Sequence, residues 1–267
     1  MQTDRKKYWD EQYPSYWRAR VDETQNSNKS SSVVKGDAKT EDDQIYQAIF
    51  SKTPFNAGKV LDVGCAWGRM FPLYKEHGLK ISGADISSKM IAQAKVSYQE
   101  DPSVETIIEA EAENLPFEDD SFDNLCCLAT FDATYQDRSI AEFLRVLKLG
   151  GRLYLTGKNT RYPLSDELAF QAEIGARKKG HPNFFTDIPK LLQELEEQSH
   201  AVIDRYFFPK RGDFAENKFS SKLPHEFYEW FLVIEKGSQG RSFSEFAGSH
   251  SLTFKKRTAT EQTAAGS

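Results

Sequence analysis

Asp62, Gly64, Gly68 and Asp85 are the residues whose types and spacing suggest a shared chemistry. Gly64 and Gly68 follow an apolar run, Val60 to Val63. A glycine there takes backbone angles closed to other residues and lets a ligand approach the main chain. Asp62 lies within the end of that run, and a carboxylate in that place suits a cationic ligand group better than a phosphate. Asp85 ends a second apolar run, Ile81-Ser82-Gly83-Ala84-Asp85. A glycine turn after one strand and a carboxylate after the next is how a Rossmann-like sheet holds a nucleoside, the carboxylate accepting hydrogen bonds from ribose hydroxyls. The spacing Gly64-x-x-x-Gly68 lacks the third glycine of the dinucleotide fingerprint, and the chain has no G-x-x-x-x-G-K-[ST] phosphate loop. Both absences, with the acidic Asp62, argue against a dehydrogenase.

Asp62-Val63-Gly64-Cys65-Ala66-Trp67-Gly68 resembles motif I of the class I S-adenosylmethionine-dependent methyltransferases, roughly D/E-x-G-x-G/A-x-G. A second resemblance lies in Glu111-Ala112-Glu113-Asn114-Leu115-Pro116-Phe117, followed by Ser121-Phe122-Asp123, where the family carries D-A-x-x-L-P-F and then S-F-D. In that family the acidic residue binds the adenine amino group and the next backbone unit reads the ring edge; here the acidic position is Glu111 rather than Asp. The resemblance covers about residues 42–235. It implies S-adenosyl-L-methionine as cofactor, held by Asp62, Gly64, Cys65, Ala66, Gly68, Asp85, Ile86, Glu111, Ala112 and Leu128. The cofactor's ammonium and sulfonium are the cations that an acidic site expects. The alternative within the same fold is a non-catalytic binder of the cofactor.

Methyl transfer needs an aligned nucleophile, a dry site and, for a hydroxyl acceptor, often a base. Two residues are candidates. Asp132 follows the fourth strand, where relatives often carry His. His181 lies in an insertion between strands five and six, where substrate-binding elements usually sit; it could equally structure the turn between Gly180 and Pro182. Tyr135 and Lys158 are further possible substrate contacts. Leu128-Ala129-Thr130-Phe131 is not the N-P-P-[YF] segment of amino-group methylation on DNA bases or glutamine. A small-molecule hydroxyl, of a sugar or natural product, is therefore the expected acceptor, with transfer to a nitrogen or a protein as the alternative.

These residues require an α/β frame: a seven-stranded, mostly parallel Rossmann-like sheet with helices on both faces and, as the resemblance implies, an antiparallel last strand. Helical spacing is expected over 42–52, 67–77, Ser88 to Tyr98 with Ser87 as N-cap, 137–148, 165–178 and 186–198. Strands are expected at Val60–Val63, 80–85, Thr106–Glu109, Asn124–Leu128, Arg152–Thr156, Ala201–Phe208 and Glu229–Glu235, with Gly150-Gly151 stopping the helix before the fifth. Four regions follow. Residues 1–20 are rich in aromatics (Tyr8, Trp9, Tyr13, Tyr16, Trp17) and form a lid over the cofactor cleft or a helix buried on the sheet flank. Residues 21–43 form a polar connector, 44–236 the methyltransferase domain with 158–199 as a substrate cap, and 237–267 a flexible tail.

The composition fits one such domain: 267 residues, 39% hydrophobic, net charge −5. The acidic balance does not suggest a nucleic-acid partner. No apolar run approaches membrane-spanning length and no signal peptide is evident. Cys65, Cys126 and Cys127 lack metal-ligand spacing and read as reduced, so a cytoplasmic enzyme without a metal is expected, its oligomeric state open.

Overall fold

The computed structural model describes residues 2–12, 41–163, 165–178, 183–239, 242–244 and 246–250. His181, the aromatics from Tyr13 to Trp17 and most of the expected connector lie outside the described residues.

Seven strands form one sheet in the order β3-β2-β1-β4-β5-β8-β7. They are β1 (Lys59–Val63), β2 (Lys80–Asp85), β3 (Val104–Glu109), β4 (Phe122–Cys127), β5 (Leu147–Lys158), β7 (Ala201–Phe208) and β8 (Glu229–Glu235). β1 pairs in parallel with β2 and β4, β2 with β3, and β4 with β5. β8 runs antiparallel between β5 and β7. A parallel pair needs a crossover, and helices supply it. The chain order contributes α1 (Gln2–Lys7), continued by a π turn at Tyr8–Gln12, then α2 (Glu41–Lys52), α3 (Phe71–Glu76), α4 (Ser88–Tyr98), α5 (Gln136–Val146), α6 (Glu167–Lys178) and α7 (Ile188–Glu197).

Alternating side chains divide the core between the two sheet faces. Val60 joins Ile49, Phe50, Phe71 and Tyr74 on one face, while Leu61 and Val63 join Phe143, Leu144, Leu191 and Leu195 on the other. The spacing Ile140, Phe143, Leu144 places three buried side chains of α5 on the second face. Ser87 caps α4 by accepting from the Met90 N–H, and Asp187 caps α7 by accepting from Lys190.

Several boundaries differ from the expected ones. The helix after the glycine loop starts at Phe71 rather than near Trp67, because the loop continues in turns through Met70. Gly150-Gly151 does not stop α5, which ends at Val146. The pair lies inside β5, where the Gly150 N–H donates to the Lys236 carbonyl and the Lys236 N–H to the Gly151 carbonyl. Part of the expected flexible tail is built into the fold. Phe243 and Phe246 are buried, the Asp187 N–H donates to the Phe246 carbonyl at 2.9 Å, and β9 (Ala247–His250) pairs antiparallel with β6 (Phe184–Thr186). Two aromatics supply enough apolar area to hold a Gly- and Ser-rich segment down.

Candidate functional site

The carboxyl ends of β1, β2 and β4 open on a cleft that, counted together with the solvent at its mouth, encloses about 680 Å³. β1 runs directly into Gly64, whose φ is +77°. A Cβ at Gly64 would lie 2.3 Å from Thr130 Cγ2 and Oγ1, so the loop and the segment after β4 close on each other only through a bare Cα. Ala66 and Ala129 also hold left-handed backbone, at φ 49° and 54°. Both line the cavity, and such strained non-glycine positions persist where the surroundings over-determine them.

Asp85 fixes this strain. Its Oδ2 accepts from the Ala66 N–H at 2.9 Å and its Oδ1 from the Ser87 N–H at 2.8 Å. Each oxygen keeps a further lone pair. Burial raises its pKa, opposed by those two N–H groups. Asp62 lies under the loop, 3% exposed, and is not in the cavity wall. Its Oδ2 is buried without a hydrogen-bond partner. Burial pushes its pKa up to about 7, against Arg69 and the Tyr74 hydroxyl, with Asp85 adding to the rise.

The opposite wall comes from Ala110, Ala112 and Glu113 after β3, and from Ala129, Thr130, Ala133 and Thr134 after β4. Arg5 and Trp9 reach it from the N-terminal segment. Arg5 binds Glu113 with both terminal nitrogens, at 2.5 and 2.8 Å, and lies 4.8 Å from the centre of the Tyr135 ring. Lys6 donates to the Ile86 carbonyl at 3.1 Å and pairs with Glu109, and Asp10 accepts from the Ser87 hydroxyl at 2.8 Å. The segment is thus fastened to three separate loops at the mouth.

The expected site residues separate into two groups. Gly64, Ala66, Asp85, Ile86 and Ala112 line the cavity. Asp62, Cys65, Gly68, Glu111 and Leu128 do not. Cys65 is buried behind the loop, where burial and the charges of Asp62 and Asp85 keep its thiol protonated. Gly68 lies against Tyr98 and Phe71. Glu111 is 31% exposed and lies 3.7 Å from Arg5, and Glu113 takes the wall position two residues on. Leu128 is in the core under the loop. Asp132 lies in a 3₁₀ turn, Phe131–Ala133, whose neighbours Thr130 and Ala133 face the cavity. Its own Oδ1 accepts from the Lys158 N–H at 2.9 Å, on the far side of that turn. Burial raises its pKa to about 6, against Lys158, with Glu173 adding to the rise. Arg5, Trp9, Ser87, Met90, Glu113, Thr130 and Thr134 also line the cavity, and their sequence context does not single them out. The available signal was the four-residue spacing of Arg5 and Trp9, which puts both on one helical face.

The residues fit S-adenosylmethionine. Asp85 has acceptor capacity left at the cavity wall, the bare Gly64 admits a close approach, and the orphaned Asp62 oxygen leaves an unsatisfied acceptor beneath the loop. Among the described residues no cluster of three or more His, Cys, Asp and Glu side chains could hold a metal ion, and no helix is long and apolar enough to cross a membrane.

Comparison with known proteins agrees with this geometry. Residues 61–155 match the family described as "Methyltransferase domain". A ubiquinone/menaquinone biosynthesis C-methyltransferase from Bartonella tribocorum is 30% identical over 228 residues, covering 75% of this chain and 83% of that protein. A methyltransferase from Streptomyces halstedii is 29% identical over 129 residues, spanning 46% of each chain. Of a Campylobacter jejuni protein of the same description as the Bartonella one, the chain spans 42% of the length, at 37% identity over 36% of this chain. Among solved structures, a Haemonchus contortus phosphoethanolamine N-methyltransferase in complex with S-adenosylhomocysteine has a TM-score of 0.55 at 19% identity. The likeness covers 73% of this chain and 53% of that one. A TehB-like methyltransferase from Corynebacterium glutamicum has a TM-score of 0.52 at 14% identity, covering 84% and 99%. At such identities the structures share the fold.

Proposed function

Because this chain belongs to the class I S-adenosylmethionine-dependent methyltransferases, we propose that it methylates a hydroxyl of a small molecule, a sugar or a natural product, in the cytoplasm. The observation that carries this reading is the roof over the cavity. Arg5 and Trp9 cover a site whose other walls are short loops, which suits a small acceptor better than a polymer. The three free, buried cysteines suit a reducing compartment.

When bound, S-adenosylmethionine supplies a methyl group activated by its sulfonium. With it bound, this chain's part would be to align the acceptor oxygen with that methyl and to take the proton the acceptor hydroxyl gives up. Asp85 would hold the ribose hydroxyls, and Ala112 and Glu113, which line the cavity, would border the adenine. Residues 1–20 act as the lid, with Arg5 as its latch, and exclude water from the reacting groups. Asp132, or His181 from the cap at 158–199, takes or orients the proton.

A second reading has support from the Bartonella relative, whose description places it among C-methyltransferases. On that reading the methyl acceptor is a carbon, and the same base would take the proton that the acceptor gives up. Incubation with methyl-labelled S-adenosylmethionine and a small-molecule cell extract, followed by mass spectrometry of the labelled product, tests both. Label on a small molecule that resists O-demethylation selects carbon. Label found only in protein, or in nothing, overturns the proposal.

A further inference from the structure

The segment after β4 supplies one wall of the cavity, and its first bend is held from outside that wall. β4 ends at Cys127, whereas β5 runs on to Lys158. The Ala129 N–H thus lies beyond its own strand, and the Thr156 hydroxyl of β5 accepts it at 2.7 Å. Thr156 follows Leu153-Tyr154-Leu155 and is buried. Valine has the same branched shape and would suit such a strand as well. A hydroxyl in that place is costly unless it is hydrogen-bonded, so the bond to Ala129 accounts for the threonine.

Ala129 needs the restraint. Its φ of 54° is left-handed, a region that alanine enters at a conformational cost and glycine does not. The bend carries the chain into Thr130, whose Cγ2 and Oγ1 would meet a Cβ on Gly64 at 2.3 Å. The Thr130 carbonyl then accepts the Ala133 N–H at 2.8 Å and closes the 3₁₀ turn. Ala129, Thr130, Ala133 and Thr134 all line the cavity, and Thr156 does not. The end of β5 holds the same segment a second time. The Lys158 N–H donates to Asp132 Oδ1 at 2.9 Å, and Gly157 leaves room for that oxygen, which a Cβ there would approach to 3.0 Å. Lys158 fixes the turn near its far end, and Thr156 fixes its entry.

We propose that Thr156 is a positioning residue for S-adenosylmethionine. Its hydroxyl keeps Ala129 left-handed, and Ala129 sets Thr130 against Gly64 in the cavity wall. Without the hydroxyl, Ala129 relaxes toward ordinary backbone and draws Thr130 out of that wall. The inference goes beyond the reading of the acceptor and does not depend on it.

The test is calorimetric titration of the full-length protein with S-adenosylhomocysteine, accompanied by thermal melts, so that no acceptor enters. Thr156→Val should bind about tenfold more weakly than wild type, the scale of one buried hydrogen bond. Thr156→Ser keeps the hydroxyl and should bind nearly as wild type does. Adding Ala129→Gly to Thr156→Val should recover most of the lost affinity, because glycine holds left-handed backbone without the bond. A threonine that only stabilised the sheet would behave otherwise. Its valine variant would melt lower, the folded fraction would bind as wild type does, and glycine at 129 would recover nothing. Thr156→Ala places no methyl against the N–H and keeps the test open if Thr156→Val folds poorly. Wild-type affinity in the valine or alanine variant, or a double variant as weak as Thr156→Val, would overturn the proposal.

Discussion

Arg5 and Glu113 are 108 residues apart in the chain and joined by two hydrogen bonds, of 2.5 and 2.8 Å, with both side chains 7% exposed. The pair ties the N-terminal segment to the cavity wall. Breaking one side of a buried ion pair costs about 3–5 kcal/mol where the survivor stays buried. Here the segment can swing away and rehydrate both groups, so the loss should appear in binding rather than in the fold. Arg5→Met, and removal of residues 1–20, should each weaken S-adenosylmethionine binding about tenfold, ~1.4 kcal/mol. Circular dichroism should show an intact sheet domain. An unfolded truncation would mean that buried Tyr8 completes the core instead of closing a lid.

Asp85 carries two loads, the strained loop through Ala66 and, on the reading above, the ribose hydroxyls. Asp85→Ala should cost about 1.5–3 kcal/mol of cofactor affinity, the range for bonds to a charged group. Titration calorimetry with S-adenosylmethionine decides it. Wild-type affinity in the variant would remove the ribose assignment.

Gly64→Ala meets two obstacles that can be separated. The new methyl would strike Thr130, and the φ of +77° would remain unfavourable for alanine. Each conformational penalty is of order 1–3 kcal/mol. A Cβ at Gly64 would also lie 2.6 Å from the Thr130 Cβ, so only Thr130→Gly, which removes that atom, should recover the steric part and leave the backbone part, and this double variant should melt between Gly64→Ala and wild type. Additive effects in the thermal melts would show that the two sites are uncoupled.

Local spacing made the sheet legible. The glycine loop, Asp85 and the i, i+3, i+4 pattern of α5 each depend on neighbours within one or two turns, so the seven strands follow from the chain order. Other features depend on partners that no window contains. Arg5 finds Glu113 across the domain, and Phe246 lies 6.5 Å from Phe131, ring centre to ring centre. Asp132 was expected at the carboxyl end of β4 and sits just past it, but the 3₁₀ turn gives Thr130 and Ala133 to the cavity and sends Asp132 to Lys158. A strand end specifies where a residue stands; the turn after it decides where the side chain goes.

Asp62 provides a pH-dependent term. Its folded pKa is raised from 3.8 to about 7, chiefly by burial. A carboxyl raised on folding stabilises the fold below its unfolded value, and that stabilisation is lost as pH rises through the folded value. The change corresponds to about 4 kcal/mol. Asp62→Asn removes the ionisation. Its melting temperature relative to wild type should therefore climb between pH 4 and pH 8, measured without cofactor. A constant difference across that range would show that Asp62 is ionised throughout in the folded protein.

Asp132 and His181 are the proposed bases, and their variants separate chemistry from binding. Asp132 is raised to about 6 by burial, against the pull of Lys158. If its ionised form takes part in turnover, kcat should rise with pH through about 6 and level off above it. Asp132→Asn should flatten that limb. A positioned base contributes roughly 10²–10⁴-fold, so Asp132→Ala and His181→Ala should each lower kcat by up to that factor. S-adenosylmethionine affinity should stay nearly unchanged in both, since Asp132 does not line the cofactor cavity. A raised cofactor Kd in Asp132→Ala would show that the residue acts by holding the turn that carries Thr130 and Ala133. Full turnover in both variants would leave an enzyme that works by proximity and alignment alone. The base assignment would then be dropped and the methyltransferase assignment would stand.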